Sequence, residues 1–247
     1  MIEQRVEDGV AILTMNRPKQ RNAMSAALVA ALIEATEKAR QDTRIRAILL
    51  HGAGTGFCAG SDLAGLAAMD AAGRAQFEAE SGRAARLLGQ ISKPVLAAVK
   101  GFAIGGGLTL ATSCDIVVTE PGAKWSLPEV PIGLFPAWGL QSVLARVGVA
   151  SARRLSFGID TLSGTEAQRL GLADHLAESD VFAETLARAK QLAGMPATAV
   201  AGVKSYFTLN PAGEAADALA NRLFGDAATT PEAATTFEKF TRHSNKV

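Results

Sequence analysis

The sequence predicts an α/β fold, and three observations carry that reading. Short apolar runs of strand length recur along the chain. Amphipathic or Ala-rich stretches of helix length separate them. Glycine-rich turns sit where one gives way to the other, the alternation expected of a largely parallel sheet covered by helices. A chain of 247 residues, 48% of them hydrophobic, is long enough to bury one sizeable core.

Taken in order, Val6 to Met15 reads as a hairpin of two strands broken at Asp8-Gly9, and Asn16-Arg17-Pro18 ends it. Ser25 is placed to cap a helix running to about Gln41, with Leu28, Leu32 and Ile33 on one face. Ile45 to His51, closed by Gly52 and Gly54, is a buried strand, and Gly54 to Asp62 is a turn-rich loop. Leu63 to about Gln90 is Ala-rich and helical, with interruptions expected near Gly73 and Gly82. Pro94 to Lys100 is another buried strand. Gly101 to Gly107 is a glycine-dense loop, and Leu108 to about Ser113 opens a helix. Asp115 to Thr119 is a third strand and Trp125 to Val130 a short extended piece. Helices are expected over Gly139 to Val147, Ser151 to Phe157 and Thr165 to Leu170, the last capped by Ser163. From Asp180 the chain reads as helical, with breaks at Gly194-Met195-Pro196 and Asn210-Pro211.

Residues 1–194 therefore form an α/β core, and residues 195–247 a helical region with no strand partner, suited to packing on a neighbour. No fixed-period repeat is present, although a strand–strand–helix rhythm recurs.

Several function classes are excluded. The formal net charge is +1 and no basic block stands out, which argues against nucleic acid as a partner. Cys58 and Cys114 stand in no pair or cluster of metal-ligand spacing, so two reduced thiols in an intracellular protein and no metal site are expected. The N-terminus alternates like a strand and has no basic-then-apolar leader. No apolar stretch reaches the roughly 20 residues that span a bilayer. A soluble cytoplasmic protein without a membrane partner is expected.

Two loops share one setting. Gly56-Phe57-Cys58-Ala59-Gly60-Ser61-Asp62-Leu63 and Gly101-Phe102-Ala103-Ile104-Gly105-Gly106-Gly107 each follow a buried strand and precede a helix. Such loops leave backbone N–H groups pointing outward, and two of them converging on one point hold an oxyanion. Glycine content alone favours two tight turns without a ligand. Neither loop carries a dinucleotide or P-loop fingerprint.

Four blocks in order resemble the crotonase (enoyl-CoA hydratase/isomerase) superfamily. They are Asn16-Arg17-Pro18-Lys19 with Asn22-Ala23; Phe57 to Leu63; Lys93-Pro94-Val95 through Gly105-Gly106-Gly107 to Cys114-Asp115; and Leu127-Pro128-Glu129-Val130 with Gly133-Leu134. The stretch from Gly164 to Asp174 and the C-terminal Phe237-Glu238-Lys239 are similar to two further family segments. The resemblance implies a spiral of strand–strand–helix turns with a C-terminal helical region that assembles trimers or dimers of trimers. It implies an acyl-CoA substrate and no separate cofactor, since CoA is part of the substrate. The thioester carbonyl would be held by the N–H groups of Ser61 and Gly106. Ala59, Ser61, Asp62 and Leu63 would cradle the CoA moiety beside Ala23, Gly105 and Gly106, with Lys19 near its phosphates.

The family's hydratases use two glutamates, one two residues past the strand-to-helix Gly triplet and one in a Pro-Glu motif. Thr109 stands at the first position here and Glu129 at the second, 20 residues later. Hydration needs one group to deprotonate water and another to protonate the α carbon. A threonine positions water but does not accept a proton near neutral pH. A single carboxylate can move a proton from one carbon to another, so the resemblance favours double-bond isomerisation by Glu129. Two alternatives stand beside it: a 2-enoyl-CoA hydratase in which Thr109 holds the water, and a non-catalytic acyl-CoA-binding protein. Trp138 departs from a glycine-rich family stretch and either narrows the pocket beside Glu129 or packs at a helix start. Ala137, where dienoyl-CoA isomerases of the family carry an aspartate, disfavours that reaction. His51, His175 and His243 match no catalytic position of the family.

Overall fold

The computed structural model describes residues 1–208 and 212–244. The expected break at Asn210-Pro211 and the side chain of His243 lie outside them.

The hairpin forms from β1 (Ile2–Glu7) and β2 (Val10–Met15). Asp8 and Gly9 both take positive φ, 48° and 78°, the backbone that a two-residue turn between right-twisted strands requires. The first strand begins at Ile2, earlier than its apolar pattern suggests, because its exposed side chains carry no hydrophobic signal. Helix α1 (Ala26–Gln41) starts at Ser25, whose Oγ accepts the Leu28 N–H at 3.2 Å. Then come β3 (Ala47–Gly52), α2 (Leu63–Ala67), α3 (Ala71–Gln90), β4 (Val95–Val99), β5 (Phe102–Ile104), α4 (Gly106–Thr112), β6 (Ile116–Thr119) and β7 (Lys124–Ser126). They are followed by α5 (Leu140–Ser156), α6 (Gly164–Leu170), β8 (His175–Leu176), α7 (Val181–Ala193), α8 (Ala197–Thr208), α9 (Ala212–Ala227) and α10 (Pro231–Ser244).

The main sheet has the order β1-β2-β3-β4-β6-β8 and is parallel except for the hairpin. Its central strands are buried on both faces, which is why they read as continuous apolar runs. Ala11, Leu13, Ile48, Leu50, Val95 and Ala97 face the core shared with α1 and α3. The alternate residues Val10, Ile12, Ala47, Leu49, Leu96 and Ala98 meet Val181, Ala189 and Ala193 of α7. Each fully buried Leu or Ile contributes about 1.5–3 kcal/mol.

The structure corrects four local expectations. The Ala-rich segment breaks at Ala68–Asp70, not at Gly73 or Gly82. Asp70 starts α3 by accepting the Gly73 N–H at 2.7 Å, so that glycine belongs to the first turn. Residues 102–104, expected as loop, form β5 and pair in parallel with β7. The two helices expected around Gly148 form one element, α5, with a kink at that residue (φ 73°, ψ 166°). A further break precedes Pro231, which opens α10.

The C-terminal helices pack on the core elements that wall the site. α9 lies on α3, and α10 on α2. Lys204 of α8 donates to the carbonyls of Leu88 and Lys93, both at 2.8 Å, and to Asp115 Oδ2 at 2.6 Å. No helix among the described residues is long and apolar enough to cross a membrane, and they include no cluster of metal ligands. Burial pushes the Cys58 and Cys114 thiols up to about 12, so neither is a nucleophile near neutral pH.

Candidate active site

The two glycine loops lie side by side. Cys58 and Ala103 form a bridge between them, with the Ile104 N–H donating to the Cys58 carbonyl at 3.0 Å. Asn22 holds the first loop from behind. It is fully buried at φ 56°, its amide donates to the carbonyls of Ala53 and Gly56, both at 2.9 Å, and its Oδ1 accepts the Arg17 N–H. Every polar atom of that side chain is used in shaping the loop, which accounts for an asparagine in the left-handed region.

The N–H groups of Ser61 and Gly106 have no acceptor among the described residues. Gly106 opens α4, where the first N–H groups of a helix are left unpaired. A Cβ on Gly60 would sit 3.4 Å from Gly106 N, so the loops meet and only a glycine keeps that N–H open. Gly105 stands at φ 53° and ψ −126°, and a Cβ there would lie 2.5 Å from Glu129 Oε1.

A cavity of about 70 Å³ opens at this junction. Ala59, Ser61, Gly105 and Gly106 form its polar wall. Leu63, Leu66, Leu134, Phe135 and Phe224 form an apolar one. Glu129, Thr109, Trp138 and Glu78 complete it.

Glu129 precedes a short 3-10 turn (Val130–Ile132), and its carbonyl accepts the Leu134 N–H at 2.9 Å. Its carboxyl Oε2 is buried without a hydrogen-bond partner. Burial raises its pKa from 4.5 to about 7, only partly opposed by its own backbone N–H. A carboxyl poised there can take or give a proton at neutral pH. Thr109 is 1% exposed and its hydroxyl donates back to the Gly106 carbonyl at 3.2 Å. Its oxygen keeps acceptor capacity at the cavity wall. Trp138 is buried against Gly106, where a Cβ would come within 2.9 Å of its ring.

The sequence reading therefore has Ala59, Ser61, Leu63, Gly105, Gly106, Thr109, Glu129 and Trp138 around one cavity. Three other candidates do not line it. Lys19 is exposed in a 3-10 turn (Pro18–Gln20). Ala23 is half-buried, and its carbonyl accepts from Arg17. Asp62 caps α2 through the Gly65 N–H and pairs with Arg17 at 3.0 Å. His51 bonds Thr14 at 2.8 Å in the sheet, away from the site.

Glu78 is an ionisable residue of the cavity wall that the sequence reading did not single out. Glu78 is 2% exposed and lies in the buried stripe of α3 with Phe77, Ser81, Ala84, Ala85 and Leu88. Its pKa is pushed up to about 8 by burial, with a Trp138 hydrogen bond pulling it down and the nearby Glu129 pushing it further up. The available signal was a charged residue at an apolar position of a helical period.

Comparison with known proteins agrees with this geometry. The family model for enoyl-CoA hydratase/isomerase matches residues 5–242. The chain is 34% identical over 189 residues to a short-chain-enoyl-CoA hydratase of Clostridium acetobutylicum, covering 76% of this chain and 71% of that protein. It is 36% identical over 190 residues to the 2,3-dehydroadipyl-CoA hydratase of Escherichia coli, covering 74% and 71%. The crystal structure of an enoyl-CoA hydratase/isomerase from Mycobacterium paratuberculosis superposes with a TM-score of 0.88 at 29% identity, over 96% of this chain and 97% of that one. The chain belongs to the enoyl-CoA hydratase/isomerase family and is an enzyme of that lyase or isomerase class.

Proposed function

We propose that the chain binds an enoyl-CoA with its thioester oxygen at the N–H groups of Ser61 and Gly106, and that Glu129 moves a proton on the enolate so formed. The observation that carries this reading is the buried, unpartnered Glu129 Oε2 beside those two open donors. A proton α to a thioester is too weakly acidic to leave at neutral pH alone, and preorganised donors supply several kcal/mol to the enolate. Glu129 then takes a proton at C2 and returns one at C4, or the reverse, which shifts the double bond between the C3–C4 and C2–C3 positions. A second reading, water addition to a 2-enoyl-CoA, is favoured by the relatives named as hydratases.

The test is direct. The protein is incubated in D2O with a 2-enoyl-CoA and with a 3-enoyl-CoA, and deuterium at C2 and C4, double-bond position and 3-hydroxyacyl product are followed. Deuterium is expected at C2 of the products formed from the 2-enoyl ester and at C4 of the 2-enoyl product formed from the 3-enoyl ester. Binding of both esters without exchange or turnover would sink the reading.

Self-association into trimers, in a cytoplasmic setting, completes the proposal. Val203, Tyr206 and Phe207 of α8 support it, because they expose apolar surface of the kind that subunit interfaces cover. Sedimentation equilibrium at three or six chain masses is expected, and a monomer would contradict it.

A further inference from the structure

We infer that Glu78 is the second acid–base carboxyl of this site, delivered by α3 in place of the one that α4 lacks at Thr109. The inference rests on the reading of Ser61, Gly106 and Glu129 given above.

Four observations carry it. Glu78 lines the cavity that Glu129, Ser61 and Gly106 line. It forms no ion pair among the described residues. Arg86, further along the same helix, is committed to Asp217 of α9, and the titratable group that acts on Glu78 is Glu129. Trp138, whose ring stands against Gly106, lines the same cavity and packs against Gly82 one turn further along the helix of Glu78. A buried carboxyl without a cation costs stability, and a cavity wall is where that cost finds a chemical use. Burial raises both carboxyls, Glu78 to about 8 and Glu129 to about 7, and the charge of Glu129 pushes Glu78 further up. Near neutral pH Glu78 keeps its proton while Glu129 readily gives its own up, a division into acid and base.

The step balances as follows. Ionised Glu129 takes a proton from water as the water oxygen bonds to C3 of a 2-enoyl-CoA. The C2–C3 π pair moves into the thioester enolate held by the two N–H groups. Glu78 gives its proton to C2 and the thioester carbonyl reforms. Glu129 is left protonated and Glu78 ionised, and transfer of one proton from Glu129 to Glu78 restores the site. The net change is one water added.

The experiment compares Glu78→Gln, Glu78→Asp and Glu129→Gln on both esters. Glu78→Gln is expected to lower hydration on the order of 100-fold or more, and double-bond migration by no more than about tenfold. Glu78→Asp is expected to recover part of the hydration. Wild-type hydration is expected to fall as pH rises past about 8, where the acid loses its proton, and the residual rate of Glu78→Gln lacks that limb. Hydration by Glu78→Gln within about twofold of wild type would overturn the inference. So would equal loss of both reactions together with weakened CoA-ester binding, the mark of a purely structural role. Both reactions surviving in Glu129→Gln would instead defeat the reading of Glu129, whatever Glu78 does.

Discussion

Replacing Glu129 by glutamine is expected to lower turnover of an enoyl-CoA by about 10²–10⁴-fold while leaving the dissociation constant of the CoA ester nearly unchanged. The substitution keeps volume and shape, which matters beside Gly105, where no Cβ fits against Oε1. The amide cannot accept and return a proton, so the chemical step loses its shuttle. Binding draws on different groups, the Ser61 and Gly106 donors and the apolar wall of Leu63, Leu66 and Phe224. The loss therefore falls on kcat rather than on KM. Folding is not expected to suffer, because a neutral amide is easier to bury than a carboxylate. Steady-state kinetics with ester binding and a melting curve check all three points. Unchanged kcat would remove Glu129 from the chemistry.

How far the sequence reached follows from where each signal resides. Asp8-Gly9, Ser25 and Ser163 sit at the turn and caps expected, because those signals are local and act through a few backbone atoms. The glycine loops and the Pro-Glu motif were legible as a set through their order. Short strands were not: β5 has three residues, and its pairing with β7 depends on a partner 22 positions away. Glu78 escaped because the Ala-rich composition of α3 reads as a helix without stating which face meets the site. Only the packing of α3 against Trp138 and α9 turns that carboxyl into the cavity wall. Asp62 shows the same dependence on packing from the other side. It lies inside a block that resembles the family's CoA-cradling segment, and its carboxylate is engaged by the start of α2 and by Arg17. Sequence order marks the neighbourhood of a site, whereas the direction of a side chain is decided by the elements around it.

The buried acids also predict how stability depends on pH. Glu78 at about 8 and Glu129 at about 7 both lie above their ordinary 4.5. Between pH 4.5 and about 7 the unfolded chain has released both protons while the folded chain still holds them, and between about 7 and 8 the folded chain still holds that of Glu78. The folded state then binds more protons, so stability falls as pH rises through this window. Below pH 4.5 both states are protonated and the effect is absent. At about 1.4 kcal/mol per pKa unit, its full size above pH 8 is on the order of 8 kcal/mol for the two groups together. Other groups act in the same range. Burial raises Asp115, which adds to the decline, and lowers Lys204 and His51, which oppose it. Differences between variants remove those common contributions. Glu78→Gln and wild type are expected to melt at similar temperatures near pH 5, and Glu78→Gln several degrees higher near pH 9. Glu129→Gln is expected to gain less, and the double variant most, since its site carries no charge to bury. Parallel melting curves for wild type and Glu78→Gln from pH 5 to 9 would mean that Glu78 ionises in the folded protein as freely as in water.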